Sequence, residues 1–224
     1  MKKRVILFDI DFTLFNAKIY RASFTKDIQE LIHYTGTNFP VIAEEVYQDL
    51  RRELAYFDPQ LFSDKLSKRL GIAIDSEKVE QIVLSEELME ESLYEDTMEV
   101  LEFFSKQENL TLGIFSAGLE RAQLSKIKRL KTFLQQDHIH IFEFKKHHAI
   151  PQLLQKYTDM EVFMIDDMMH VLYTAKETRP DVHTVWIRRP ERSAQDSHID
   201  NFQPDSIIRS LRELIPIVMG NIKE

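Results

Sequence analysis

An α/β fold, a parallel sheet covered on both faces with an all-helical block inserted after the first strand, is predicted by three observations. Short runs of β-branched and aliphatic residues alternate with helical patterns. A long stretch after the first run has no strand pattern. Acidic or hydroxyl side chains stand directly after several of the runs.

The first run, 5–8, is Val-Ile-Leu-Phe and ends at Asp9. Lys2, Lys3 and Arg4 precede it in the manner of a secretory signal, but the apolar run meets Asp9 long before such a segment is complete, so it reads as a strand. From Phe15 to about Leu93 the spacing is helical. Phe24, Ile28, Leu31 and Ile32 make one apolar face, and Ile42, Val46, Leu50, Leu54 and Phe57 a second. Asp58-Pro59 reads as an N-cap with proline in the first helical position, ahead of Phe62, Leu66 and Leu70, and Asp75 or Ser76 opens another helix. Glu86, Glu87, Glu90 and Glu91 form the solvated face of a further one. Such a block is too long for an ordinary crossover. It is read as a helical cap domain spanning 16–93, leaving 1–15 and 94–224 as a Rossmann-like core.

Further strands are expected at 110–115, 139–142, 162–165 and 182–187, with a helix at 119–134 between the first two. Pro204-Asp205 is expected to start a last helix, whose stripe is Ile207, Ile208, Leu211, Leu214, Ile215, Val218 and Met219. Arg188 and Arg189, after the fifth strand, read as a solvated pair.

With 224 residues the chain has room for a core and an insertion, and its 43% hydrophobic and 29% charged content is that of a folded globular protein. A net charge of −8 provides no basic footprint for nucleic acid, which favours small metabolites as partners. The absence of cysteine excludes a disulfide framework and thiolate metal sites, and makes a reducing compartment, the cytoplasm, the expected location. No membrane segment is expected, and no motif specifies an oligomeric state.

Asp9 and Asp11 carry the chemistry. Strand side chains repeat every two residues, so both project to one side at the carboxyl end of the first strand, where open α/β sheets bind ligands. Two carboxylates this close repel and require a cation or a shared proton. A hard ion such as Mg²⁺ meets that need and also neutralises phosphate.

Asp9-Ile10-Asp11-Phe12-Thr13 resembles the first motif, DxDxT, of the haloacid dehalogenase superfamily of phosphatases and phosphotransferases. The resemblance continues in order through Ser116 after the second strand, Lys146 or its neighbour Lys145 for the third motif, and Asp166-Asp167 after the fourth strand. Lys146 is preferred because it opens a helix start and lies 20 residues before Asp166. The resemblance implies a Mg²⁺-dependent phosphatase of a small phosphate ester. Asp9 would be its nucleophile and Asp11 its acid and base. Thr13, Ser116 and Lys146 would bind phosphate, while Asp9, the main-chain carbonyl of Asp11, Asp166 and Asp167 would hold the metal. Phe12 stands where the family commonly has glycine, no proline follows the third-motif lysine, and Ile165 and His170 depart from the fourth motif. A phosphomutase uses the same core residues, a 2-haloacid dehalogenase needs neither Asp11 nor Mg²⁺, and a non-catalytic phosphate- or metal-binding protein would retain the fold alone. His147 and His148 read as surface or helix-start residues, and Met160, Met164, Met168 and Met169 as packing. Lys18 and Arg21 are the cap residues nearest the first motif in sequence.

Overall fold

The structure, a computed structural model, describes residues 3–191 and 199–220. Its sheet contains β1 (Lys3–Phe8), β2 (Leu110–Ala117), β3 (Ile139–Phe142), β4 (Met160–Asp166), β5 (His183–Ile187) and β6 (Ser206–Ile208). These six strands lie in the order β3-β2-β1-β4-β5-β6, and every pairing is parallel. Central β1 is apolar almost throughout because both of its faces are covered. Ile6 and Phe8 pack into one apolar core and Val5 and Leu7 into another, the period of two separating them. The chain leaves β1 toward β2 on one side and later adds β4 on the other. The carboxyl end of β1 therefore lies at the reversal of strand order, where a ligand crevice opens.

Between β1 and β2 come α1 (Ala17–Leu31), α2 (Phe39–Leu54), α3 (Pro59–Leu70), α4 (Ser76–Val83), α5 (Glu86–Glu91) and α6 (Thr97–Ser105). Side-chain oxygens of Asn16, Asp58 and Asp75 accept backbone N–H groups at the starts of α1, α3 and α4, satisfying donors that the helices leave open. The apolar faces of α1 to α3 meet around stacked and edge-on rings of Tyr20, Phe24, Phe57 and Phe62. Phe15 joins this file to the sheet core, its ring 5.2 Å from that of Tyr20. The chain segments entering and leaving α1 to α5 run side by side: Asn16 N–H donates to the Ser92 carbonyl and Tyr94 N–H to the Leu14 carbonyl. The remaining helices are α7 (Glu120–Lys126), α8 (Ile150–Gln155), α9 (Met169–Thr178) and α10 (Leu214–Gly220). None of the described helices is long and apolar enough to cross a membrane.

Two segments differ from the sequence expectation. The helix expected over 119–134 is regular only in α7 and continues as a short 3₁₀ turn at Lys128–Leu130. The helix expected from Pro204 is strand β6 and then a turn into α10. Asp205, rather than capping a helix, accepts hydrogen bonds from the Thr184 N–H and hydroxyl and from Lys176, which docks the segment so that Ile207 and Ile208 pair with β5. Ser210 and Glu213 form the capping box that starts the following turn. The periodicity of 207–219 suits a helix, but an available sheet edge takes its first residues.

Arg188 is exposed, whereas Arg189, expected to be solvated, is buried. Its guanidinium grips Asp96 at 2.8 and 2.9 Å, donates to the Thr13 carbonyl at 2.8 Å and lies 3.8 Å over the Tyr94 ring. Although burial opposes it, Arg189 with Ser210 and the Leu211 N–H holds the Asp96 carboxyl below its ordinary range. Asp96 alone would be a buried unpaired charge, so Arg189→Met is expected to cost about 3–5 kcal/mol of stability, read by urea denaturation. An unchanged midpoint would show that the pair carries no such weight.

Candidate active site

The site is built at the carboxyl ends of β1, β2 and β4. Asp9 continues β1, its N–H donating to the Ile165 carbonyl of β4 at 2.9 Å. The chain then turns tightly. The Ile10 carbonyl accepts N–H groups from Thr13, Leu14 and Phe15 at 3.0 to 3.2 Å, and the turn passes through Phe12 at φ +59°. That left-handed conformation is where the resembling family commonly has glycine, and a side chain there carries local strain.

Ser116, near the end of β2, donates its hydroxyl to Asp9 Oδ1 at 2.9 Å. Lys146 is the lysine brought in. It stands in a 3₁₀ turn, Lys146–Ala149, after β3, is 4% exposed, and places Nζ 2.7 Å from Asp9 Oδ1 and 2.6 Å from Asp166 Oδ2. Lys145 is exposed. Asp166 ends β4, and its Oδ1 accepts the Met168 N–H at 2.9 Å, so it also shapes the turn into α9. Carboxylate oxygens of buried Asp9, Asp166 and Asp167 lie within 4.8 Å of one another. Thr13 is buried with its hydroxyl unpartnered among the described residues, and it makes no hydrogen bond to the others in this group. Of the remaining expectations, His147 and His148 stand in the 3₁₀ turn with their rings tilted 45° to one another and centroids 4.1 Å apart, and His170 meets His147 edge-on. Met164 and Met169 are buried packing.

Asp11 stands apart from the three clustered carboxylates. Its Oδ1 pairs with Lys126 Nζ at 2.7 Å, and Gln123 Nε2 lies 3.4 Å from its Oδ2. Gln123 also donates to the Ala117 carbonyl at 2.7 Å and to Ser116 Oγ at 3.2 Å. Glycine is required at 118 for this arrangement: φ is +155°, and a Cβ would lie 2.7 Å from the Gln123 side chain. A small cleft between Asp11 and the helical block is lined by Tyr20, Tyr47, Arg51, Gln123 and Lys126. Lys126, Gln123 and Arg51 were not singled out from the sequence. A lysine and a glutamine three residues apart on an amphipathic helix carry no signal, nor does an arginine in α2. Lys18 is exposed, and Arg21 packs its guanidinium 4.9 Å from the Tyr47 ring centroid.

The electrostatics follow from this crowding. Burial pushes the Asp166 carboxyl up, to about 7, with Asp9 adding to the rise and Lys146 opposing it. Lys146 itself is held above its ordinary range, because Asp166, Asp9 and Asp167 outweigh the opposing cost of burial. Burial likewise pushes Asp11 up, but Lys126 wins and holds it below the ordinary carboxylate range.

A cluster of three buried carboxylates with one ammonium among them is short of positive charge, and its hard oxygen donors fit Mg²⁺. The sign of the pH dependence follows. Asp166 binds its proton more tightly folded than unfolded, so between its ordinary value of 3.8 and about 7 this group makes the metal-free protein less stable as pH rises. Mg²⁺ is therefore expected to raise the melting temperature more at about pH 8 than at about pH 5, measured by thermal melting with Mg²⁺ or EDTA. An absent shift at both would contradict metal binding here, and an equal shift would contradict competition between the metal and the Asp166 proton.

The fold and this arrangement together define a class: the chain has the fold of the haloacid dehalogenase-like hydrolases. It superposes on a protein of Burkholderia xenovorans described as a haloacid dehalogenase-like hydrolase with a TM-score of 0.76 and 18% identity over 100% of both chains. It is also similar to the HAD-hydrolase YfnB of Bacillus subtilis, whose structure was determined bound to magnesium (TM-score 0.68, 19% identity, 99% of this chain and 100% of that one). The L-2-haloacid dehalogenase of Xanthobacter autotrophicus, solved with chloropropionic acid covalently bound, matches with a TM-score of 0.62 and 16% identity over 99% of this chain and 100% of that one. No protein-family model and no curated protein matches the sequence.

Proposed function

We propose that this chain is a Mg²⁺-dependent phosphatase that hydrolyses a small phosphate monoester through an aspartyl-phosphate on Asp9. The observation that carries this reading is the placement of Asp9. Ser116 and Lys146 both contact its Oδ1, which leaves Oδ2 as the attacking atom, and a second acid, Asp11, stands two residues on at the cleft.

Asp9 Oδ2 attacks phosphorus, the ester P–O bond breaks, and Asp11, which takes up its proton once the ion pair with Lys126 opens, delivers that proton to the leaving oxygen. In the second displacement Asp11 takes a proton from water as that water attacks phosphorus, releasing inorganic phosphate and restoring the Asp9 carboxylate. Ser116 Oγ and Lys146 Nζ hold the transferring oxygens and their developing charge. Asp9, Asp166 and Asp167 would hold the Mg²⁺, with Asp11 contributing its main-chain carbonyl, and the bound ion neutralises phosphate charge. Helices α1 to α5 act as a cap domain that excludes bulk water from this chemistry. The cysteine-free composition suits the cytoplasm.

Structural similarity to L-2-haloacid dehalogenases favours a second reading, carbon–halogen cleavage by the same aspartate. That reaction leaves Asp11 and the acidic cluster without a purpose. Purified protein assayed on 4-nitrophenyl phosphate and on L-2-chloropropionate, each with Mg²⁺ and with EDTA, separates the two. Metal-dependent release of phosphate supports the phosphatase, and chloride release without metal overturns it. Transfer of the phosphoryl group within the substrate, seen by product analysis, would make it a mutase. Metal binding without turnover on a broad phosphate panel would favour a non-catalytic protein.

A further inference from the structure

We propose that Lys126 and Arg51 form a second anion subsite, so that the substrate's leaving portion carries an anionic group, a carboxylate or another phosphoryl, beside the ester. The inference rests on the phosphatase reading for the identity of the leaving portion.

Two cations from different parts of the chain converge on one cleft, Lys126 from the end of core helix α7 and Arg51 from α2. Lys126 is not a solvated surface lysine. Its side chain is 10% exposed, and its ammonium lies 5.1 and 5.4 Å from the ring centroids of Phe15 and Tyr20, which hold it toward the cleft. Arg51 reaches the cleft with a hydrogen bond to the Tyr47 hydroxyl at 3.5 Å and no ion pair among the described residues. Among the described residues Asp11 is the one carboxylate on the cleft wall, which faces it with two cations, Lys126 and Arg51.

Geometry then constrains the ligand. A leaving oxygen within hydrogen-bond reach of Asp11 brings the atoms beyond it into the space bounded by Lys126 and Arg51. The Asp11 to Lys126 pair must also open for Asp11 to turn to that oxygen. A ligand anion that takes over the ammonium lets the pair open without stranding a nearly buried cation. A neutral leaving portion leaves Lys126 on Asp11.

Calorimetric titration of the full chain with Mg²⁺ tests this with non-hydrolysable probes: propylphosphonate, 3-phosphonopropionate and propane-1,3-bisphosphonate. The wild type is expected to bind at least one of the two probes with a second anionic group about 30-fold more tightly than propylphosphonate. The ratio should fall toward unity in Lys126→Met, be largely retained in Lys126→Arg, and be reduced in Arg51→Met, which reads the same subsite should Lys126→Met fail to fold. Which of these two probes gains more distinguishes carboxylate from phosphoryl. Equal binding of all three probes by the wild type, or a ratio unchanged in both Lys126→Met and Arg51→Met, overturns the subsite. Preference for the probes with a second anionic group, without hydrolysis of any phosphate ester, would instead sink the phosphatase reading and leave the subsite standing.

Discussion

Asp9→Asn is expected to abolish Mg²⁺-dependent hydrolysis of aryl phosphates, lowering kcat by about four orders of magnitude or more. The amide nearly matches the carboxylate in shape and still accepts the Ser116 hydroxyl through its oxygen. It cannot attack phosphorus as an anion, so the first displacement has no nucleophile. It also removes one negative charge from the acidic cluster, so the folded protein should persist and Mg²⁺ should bind more weakly. Mass spectrometry of wild type quenched during turnover should find the phosphoryl adduct on the peptide containing Asp9. An active, correctly folded Asp9→Asn protein, or an adduct elsewhere, would reject the assignment.

Lys146→Met is expected to damage both activity and stability. The ammonium is almost fully buried between Asp9 and Asp166, and removing it leaves buried carboxylates with no counter-charge from this side chain. Breaking such a group from one side costs about 3–5 kcal/mol in the metal-free protein. The loss should be greater at about pH 8 than at about pH 5, where Asp166 can take up a proton instead. Loss of the donor from the transferring phosphate should reduce kcat by about two to three orders of magnitude. Urea denaturation with and without Mg²⁺, together with steady-state kinetics, reads each component. Exposed Lys145→Met should match the wild type in both. A normal Lys146→Met protein, or a crippled Lys145→Met protein, would exchange the roles of these neighbours.

Part of this site is legible in short segments of the chain. Asp11 lies in the turn beyond β1 and faces Lys126 rather than sharing a strand face with Asp9, but apolar runs ending at Asp9, at Ser116 and at Asp166 mark the neighbouring strands of one crevice. These runs are properties of short segments, and the chemistry of a segment's own residues largely decides them. Capping by Asp58 and Asp75 is local in the same sense.

Other features depended on what lay across the fold. Ile207 and Ile208 have a spacing that suits a helix and become a strand because β5 offers an edge and Thr184 with Lys176 captures Asp205. Arg189 is buried because Asp96, 93 residues away in the chain, meets it under Tyr94. Lys126 finds Asp11 across 115 residues, and Arg51 reaches the same cleft from the helical block. By itself the sequence determined the strand ends and the residue types that stand on them, because backbone period and local capping act over a few residues. Only the tertiary structure decided which charges are buried, which pair, and what faces Asp11, because desolvation and Coulomb attraction depend on distances through space that chain separation does not encode.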